Sequence, residues 1–250
     1  MSHSACIAGD NEKETIMNSM KVATREEWLI ARKALLEKEK AHTRAKDEIS
    51  QQRRALPWVK LDENYVFETE TGKVSLAELF GDKSQLIVYH FMFGPEWAEG
   101  CKSCSFWADS FNGLEPHLNG RDIAFVAVSR APMSSLMPFK KRMGWSFNWV
   151  SSHSNSFNAD FNVSFSSDHN SENPATYNFQ EMSSSPMEEA HGTSVFAKDD
   201  TGNIYHTYST YGRGLDITNA AYSYIDMVPK GRNEPSEGNP MAWVKHHDAY

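Results

Sequence analysis

Apolar positions recur along this chain with two different periods. Trp28, Leu29, Ala31, Leu35 and Leu36 fall on one stripe of a helix. Thr24-Arg25-Glu26-Glu27 has the form of a capping box, so a long charged helix is predicted from there to about Arg54. Its later part, with Lys38, Lys40, Arg44, Lys46 and Asp47, reads as solvent-facing. Beyond Pro57 the apolar runs shorten to strand length. Tyr65-Val66-Phe67 and a Thr71-Gly72 turn predict a hairpin, followed by a short helix over Ser75–Leu79 and a buried strand over Leu86–Phe91. A helix from Cys101 to about Leu114 and a strand over Ile123–Val128 come next. Pro132–Arg142 reads as a helix kinked or broken at Pro138, and Trp145–Val150 as an aromatic strand. Residues 151–189 are rich in Ser and Asn and read as a long irregular excursion over the surface. Thr193–Ala197 and Asn203–Tyr208 flank Asp199-Asp200-Thr201-Gly202, a hairpin turn signal, and Leu215–Tyr224 reads as helix.

The division that follows is a flexible tail over 1–23, a helical arm over 24–56 and an α/β domain over 57–250. The bland role for the arm is packing on the domain or on a second copy, which makes a homodimer through this helix an expectation. A net charge of −8 argues against a nucleic-acid partner. No apolar run approaches the ~18 residues of a membrane span. Charges at Asp10, Glu12, Lys13 and Glu14 break any secretory leader, so a cytoplasmic protein is expected.

Candidate chemistry concentrates in Gln85–Trp107. The buried strand leads through Gly94-Pro95 into Cys101-Lys102-Ser103-Cys104, two thiols on the first turn of a predicted helix. Main-chain N–H groups and the positive end of the helix dipole favour thiolate at that place, and Lys102 adds a cation. Cys101 is the outer, attacking sulfur in this reading and Cys104 the resolving one. Cys6, the third cysteine, lies in the tail and reads as incidental. Walker and GxGxxG phosphate loops are absent, which argues against nucleotide cofactors.

Strand, dithiol helix, strand, helix, hairpin, helix is the element order of a thioredoxin-type domain, a mixed sheet covered by helices on both faces. The leading hairpin and the helix over VSLAELF suggest the peroxiredoxin-like elaboration of it. The segments FMFGPEWAEGCKSCSFWADSFNG, RDIAFVAVSRAP, KRMGWSFNWVSS, IYHTYSTYGRGLD, PKGR and MAWVKHHD resemble those of a thioredoxin-like family of bacterial and fungal proteins of unknown function. The resemblance covers about residues 24–250 and implies the fold, with little about activity.

Thioredoxins place a cis-proline before the strand that faces the dithiol. Here that place holds Glu189-Ala190-His191-Gly192, and Pro186 is too far upstream. Two thiolates and an imidazole make a ligand set for copper or zinc. Cys101, Cys104 and His191 thus resemble the copper site of Sco-type thioredoxin-fold proteins, although the cysteines there are three residues apart rather than two. Three functions stay open: copper-dependent oxidation of a small organic substrate, which is favoured; metal-free thiol–disulfide or peroxidase-like chemistry; and non-catalytic copper binding. Phe93, Trp97, Phe106, Trp107, Trp145, Trp149, Tyr208 and Tyr211 supply aromatic surface, mostly for a core. Trp97, Trp107, Tyr208, Tyr211 and Arg213 are the candidates for substrate contact, Arg213 for a carboxylate or phosphate. Glu188 and Glu189 read as partners of His191 or as surface charges. His90 reads as a core histidine sharing a face with Met92, and His246-His247-Asp248 as a frayed end.

Overall fold

The computed structural model describes residues 21–166, 168–169, 172–182 and 187–250. The expectation for Cys6 lies outside them. The chain divides into two units, one ending at Ala55 and the other spanning Leu56–Tyr250.

In the first unit, α1 (Arg25–Arg54) carries the predicted capping box. The Glu27 main-chain N–H donates to Thr24 Oγ1 at 3.2 Å, and Thr24 N–H donates to Glu27 Oε2 at 2.9 Å. Glu26 and Glu27 in the first turn and Arg53 and Arg54 in the last complement the helix dipole.

The second unit is a mixed sheet between helices. Its strands and helices are β1 (Val59–Lys60), β2 (Val66–Thr69), β3 (Gly72–Ser75), α2 (Leu76–Leu79), β4 (Gln85–His90), α3 (Lys102–Ala108), α4 (Glu115–Asn119), β5 (Ile123–Ser129), α5 (Met133–Arg142), β6 (Trp149–Ser151), α6 (Phe157–Asp160), β7 (Ala175–Tyr177), β8 (Gln180–Met182), β9 (Gly192–Lys198), β10 (Ile204–Tyr211) and α7 (Ala220–Ile225). Among the described residues the main sheet runs β1-β10-β9-β4-β5-β6-β2-β3, and β7 pairs with β8 apart from it. β4, β5 and β6 are parallel, β9 is antiparallel to β4, and β10 is antiparallel to β9. This is the thioredoxin-like arrangement that the element order implied.

The two-residue period of β5 sorts the core into two layers. Val126 and Val128 pack with Phe67, Leu76, Val88, Phe157 and Phe196 beneath α2 and α6. Ala127 faces the other way, toward Tyr89, Cys104, Trp107, Leu136, Trp149 and Tyr222 beneath α3, α5 and α7.

Several expectations need correction. The dithiol helix ends at Ala108 rather than near Leu114. Hydrogen bonds from Ser110 to Trp107 and from Phe111 to Ala108 tighten its last turn, and Gly113 at φ +83° turns the chain away. α5 runs unbroken through Pro138, because Leu136 and Phe139 anchor it in the core. Pairing in the aromatic segment is confined to Trp149–Ser151, and Asn219 divides the last helix, its Oδ1 accepting from Tyr222 N at 3.0 Å. The first part of the stretch over 151–189 is no surface excursion, since Phe157, Phe161, Val163 and Phe165 are buried there, and its later part contains the paired strands β7 and β8. The end of the chain is packed as well, with Val244 4% and His246 2% exposed. No described helix is long and apolar enough to cross a membrane.

Candidate active site

Cys101 is the N-cap residue of α3, immediately beyond the loop that leaves β4. Its N–H donates to Met92 O at 3.0 Å, and Ser105 N and Oγ both donate to its carbonyl at 2.9 Å. These bonds hold the backbone while leaving the sulfur half-buried. The Cys104 thiol, the N–H groups of Cys104 and Ser103, and the Ser103 hydroxyl lie around that sulfur and favour its thiolate. The Cys104 thiol has the largest effect, and together they outweigh burial and bring the Cys101 pKa down to about 6.

Cys104 sits one turn further along, 1% exposed. Met92 N–H donates to its sulfur at 3.4 Å. Burial first, then the bond to Cys101 and the charge there, hold the Cys104 thiol well above its ordinary range. Both cysteines are free. The pair is therefore asymmetric: the outer sulfur favours thiolate and the inner one favours thiol.

Two phenols that sequence reasoning missed complete the surroundings. Tyr89, 2% exposed, faces Cys104, and burial followed by the Cys104 and Cys101 charges raises its pKa. The alternation of β4 could have found it, since Tyr89 shares a face with Phe91 toward α3. Tyr177 donates to His191 O at 2.9 Å and accepts from Gly212 N at 3.1 Å, and burial pushes its pKa up to about 12. Nothing in the polar segment around Tyr177 signalled this.

His191 stands immediately before β9, and all peptide bonds among the described residues are trans. Its imidazole packs on Trp107, with ring centroids 5.9 Å apart, and burial lowers its pKa. Among the described residues no group of three or more His, Cys, Asp and Glu is placed to hold a metal ion. Cys101, Cys104 and His191, expected as copper ligands, do not form such a group among the described residues, and the His191 ring packs on the indole.

The other candidates scatter. Trp107 is 3% exposed with Nε1 donating to Leu215 O at 3.0 Å, and the buried Tyr211 donates to Phe161 O at 3.0 Å. Trp97 lies against Gly94, where an added Cβ would meet its indole at 2.7 Å. Tyr208 is half-buried, and exposed Arg213 pairs with Asp216 at 3.3 Å. Glu188 is exposed, but Glu189 is 1% exposed, neither a surface charge nor a partner of His191. Its carboxylate accepts from Arg130 at 2.8 Å and Ser164 at 2.6 Å, and burial pushes its pKa up to about 7.

His90 is a core histidine, but it does not share a face with Met92. The strand ends at His90, so the alternation stops there. His90 packs on Phe157 and Phe161, whereas Met92 joins the layer around Cys104. His90 Nε2, Ser194 Oγ, Ser209 Oγ and His206 Nε2 form a chain with steps of 2.9, 2.8 and 2.7 Å.

A family model described as a bacterial protein of unknown function (DUF899) matches residues 17–250. Comparison with curated proteins found no match. Among solved structures, the chain is similar to a cysteine mutant of peroxiredoxin Q from Xanthomonas campestris, with TM-score 0.41 and 15% identity over 64% of this chain and 90% of that one. Peroxidoxin BcpB from Mycobacterium tuberculosis gives TM-score 0.40 and 15% identity, covering 66% and 93%. A protein described as a thiol:disulfide interchange protein DsbE, from Chlorobium tepidum, gives 0.39 and 14%, covering 68% and 96%.

Proposed function

The chain belongs to the bacterial DUF899 family of unknown function, and from its own site we propose that it is a thiol–disulfide oxidoreductase working through Cys101 and Cys104. The observation that carries this is the asymmetry of the two sulfurs within one turn of α3. Cys101 is half-buried with its pKa brought down to about 6, while Cys104 is buried and held as a thiol.

The chemistry follows from that difference. The Cys101 thiolate attacks one sulfur of a substrate disulfide, forming a mixed disulfide and releasing the other sulfur as a thiolate. Cys104 then attacks Cys101 Sγ, its proton passing to the departing thiolate, and the second substrate sulfur leaves. The substrate gains two electrons, and the protein keeps a Cys101–Cys104 disulfide that an external dithiol reduces for the next cycle. Lowering the Cys101 pKa makes thiolate abundant near neutral pH, and burying Cys104 delays its attack until the mixed disulfide has formed.

The test uses 5,5′-dithiobis(2-nitrobenzoic acid) as substrate and dithiothreitol as reductant. Cys104→Ser should stop after one equivalent with a mixed disulfide on Cys101, seen by mass spectrometry, and Cys101→Ser should lose turnover. Wild-type protein that neither turns over nor forms an internal disulfide would overturn the assignment.

A further inference from the structure

Two adjacent histidines near the end of the sequence grip both ends of α3. His247 Nδ1 lies 2.7 Å from Asp109 Oδ1, at the C-cap of the helix, and Trp145 Nε1 donates to the same oxygen at 2.8 Å. His246 reaches the other end, its Nε2–H donating to the carbonyl of Gly100 at 2.9 Å. A carbonyl can only accept, so this nitrogen carries the proton.

The Gly100 contact matters because of which peptide it holds. The Gly100 carbonyl and the Cys101 N–H belong to one planar unit. The N–H end is tied to Met92 O at 3.0 Å and the carbonyl end to His246. Both polar atoms of the peptide that carries Cys101 are therefore fixed. Space around it is closed too: a Cβ on Gly100 would meet Phe91 at 2.7 Å and Phe139 at 2.8 Å. Phe139 also packs edge-on against the His246 ring, with centroids 5.3 Å apart. Arg142 pins the arrangement from outside, donating to Asp248 at 2.7 and 3.0 Å and to Glu99 at 2.9 Å.

We propose that His246 is a positioning residue for the dithiol: by holding the Gly100 carbonyl it fixes the peptide plane of Cys101 and keeps that sulfur on the Ser103 and Cys104 N–H groups. The inference rests on reading Cys101 as the attacking sulfur. It differs from simple anchoring of the chain end, which would stabilise the fold without tuning the thiol.

The experiment measures iodoacetamide alkylation of Cys101 in the reduced full chain as a function of pH, site by site by mass spectrometry. His246→Leu should raise the midpoint by about one pH unit and slow alkylation at pH 6 about fivefold. His246→Gln, which keeps a donor for Gly100, should stay within about twofold of wild type. If the leucine variant does not fold, His246→Asn takes its place, because its shorter amide stops short of Gly100 and should give the same shift. An unchanged midpoint in a folded variant lacking the donor would overturn the proposal. So would an equal shift in His247→Leu, since loosening the chain end alone would then suffice. None of these readings requires turnover, so failure of the oxidoreductase assignment shows separately, in the disulfide assay.

Discussion

Tyr89 and His90, neighbours on β4, deliver their side chains to opposite faces of the sheet. The phenol faces the buried Cys104 sulfur, and the imidazole bonds to Ser194 at 2.9 Å. One strand thus serves the dithiol with one residue and a separate polar chain with the next.

The phenol gives a kinetic prediction. The Tyr89 hydroxyl is buried beside Cys104 with no hydrogen-bond partner among the described residues, and it favours a thiolate there. A bond formed as that charge develops would be lost in Tyr89→Phe, which should slow the second step, where Cys104 attacks. A bond to a charged group contributes about 1.5–3 kcal/mol, which corresponds to at least a tenfold loss. In stopped-flow with 5,5′-dithiobis(2-nitrobenzoic acid), the first phase should keep its rate while the second slows. Slowing of both phases would mean that Tyr89 acts on Cys101 as well.

Cys104 is the largest cause of the low Cys101 pKa. Cys104→Ala should therefore move the alkylation midpoint of Cys101 upward from about 6, toward the range of an ordinary thiol. Iodoacetamide rates between pH 5 and 9 check this. A midpoint that stays put would assign the effect to the main-chain N–H groups and the Ser103 hydroxyl.

Two buried groups should oppose each other in the pH dependence of stability. Burial, then His206, bring the His90 pKa from 6.5 down to about 3, so between these values the unfolded chain binds the proton and stability falls as pH falls. Glu189 is raised from 4.5 to about 7, so there the folded chain binds the proton and stability falls as pH rises. Removing either group exposes the slope of the other, at most about 1.4 kcal/mol per pH unit. Between pH 4.5 and 6.5, Glu189→Gln should steepen the loss of melting temperature on acidification, and His90→Phe should reduce or reverse it. Shifts of the same sign in both variants would contradict the assignment.

Gly192 opens β9 where a side chain has no room. An added Cβ would meet the Tyr211 ring at 2.7 Å and Val163 at 3.3 Å. Gly192→Ala should destabilise the protein by about 1–3 kcal/mol, the usual cost of overpacking. Urea unfolding measures this, and pairing with Tyr211→Leu should recover part of the loss.

The sequence was most readable where local signals and burial agree. The Thr24/Glu27 box, the apolar run of β4 and the Asp199–Gly202 turn each carry their own physics, and each element formed as expected. The two cysteines were legible as a pair because their spacing and their placement after a buried strand put both on the first turn of one helix. What failed depended on distant contacts. His191 was placed near the sulfurs from chain order alone, which could not show that its ring packs on Trp107. The Ser- and Asn-rich stretch looked like surface because its few aromatics were outnumbered, yet Phe157 and Phe161 anchor its first part in the core. His246 looked frayed because its partner, Gly100, lies 146 positions away.

The outermost strands of the sheet are β1, two residues long, and β3, four residues long, bearing Lys60 and Lys73. An incoming strand from another molecule would find a short ladder and a charge at either edge. The long hydrogen-bonding registers of β4, β9 and β10 are enclosed between them. Strand addition at either edge of the main sheet is therefore disfavoured.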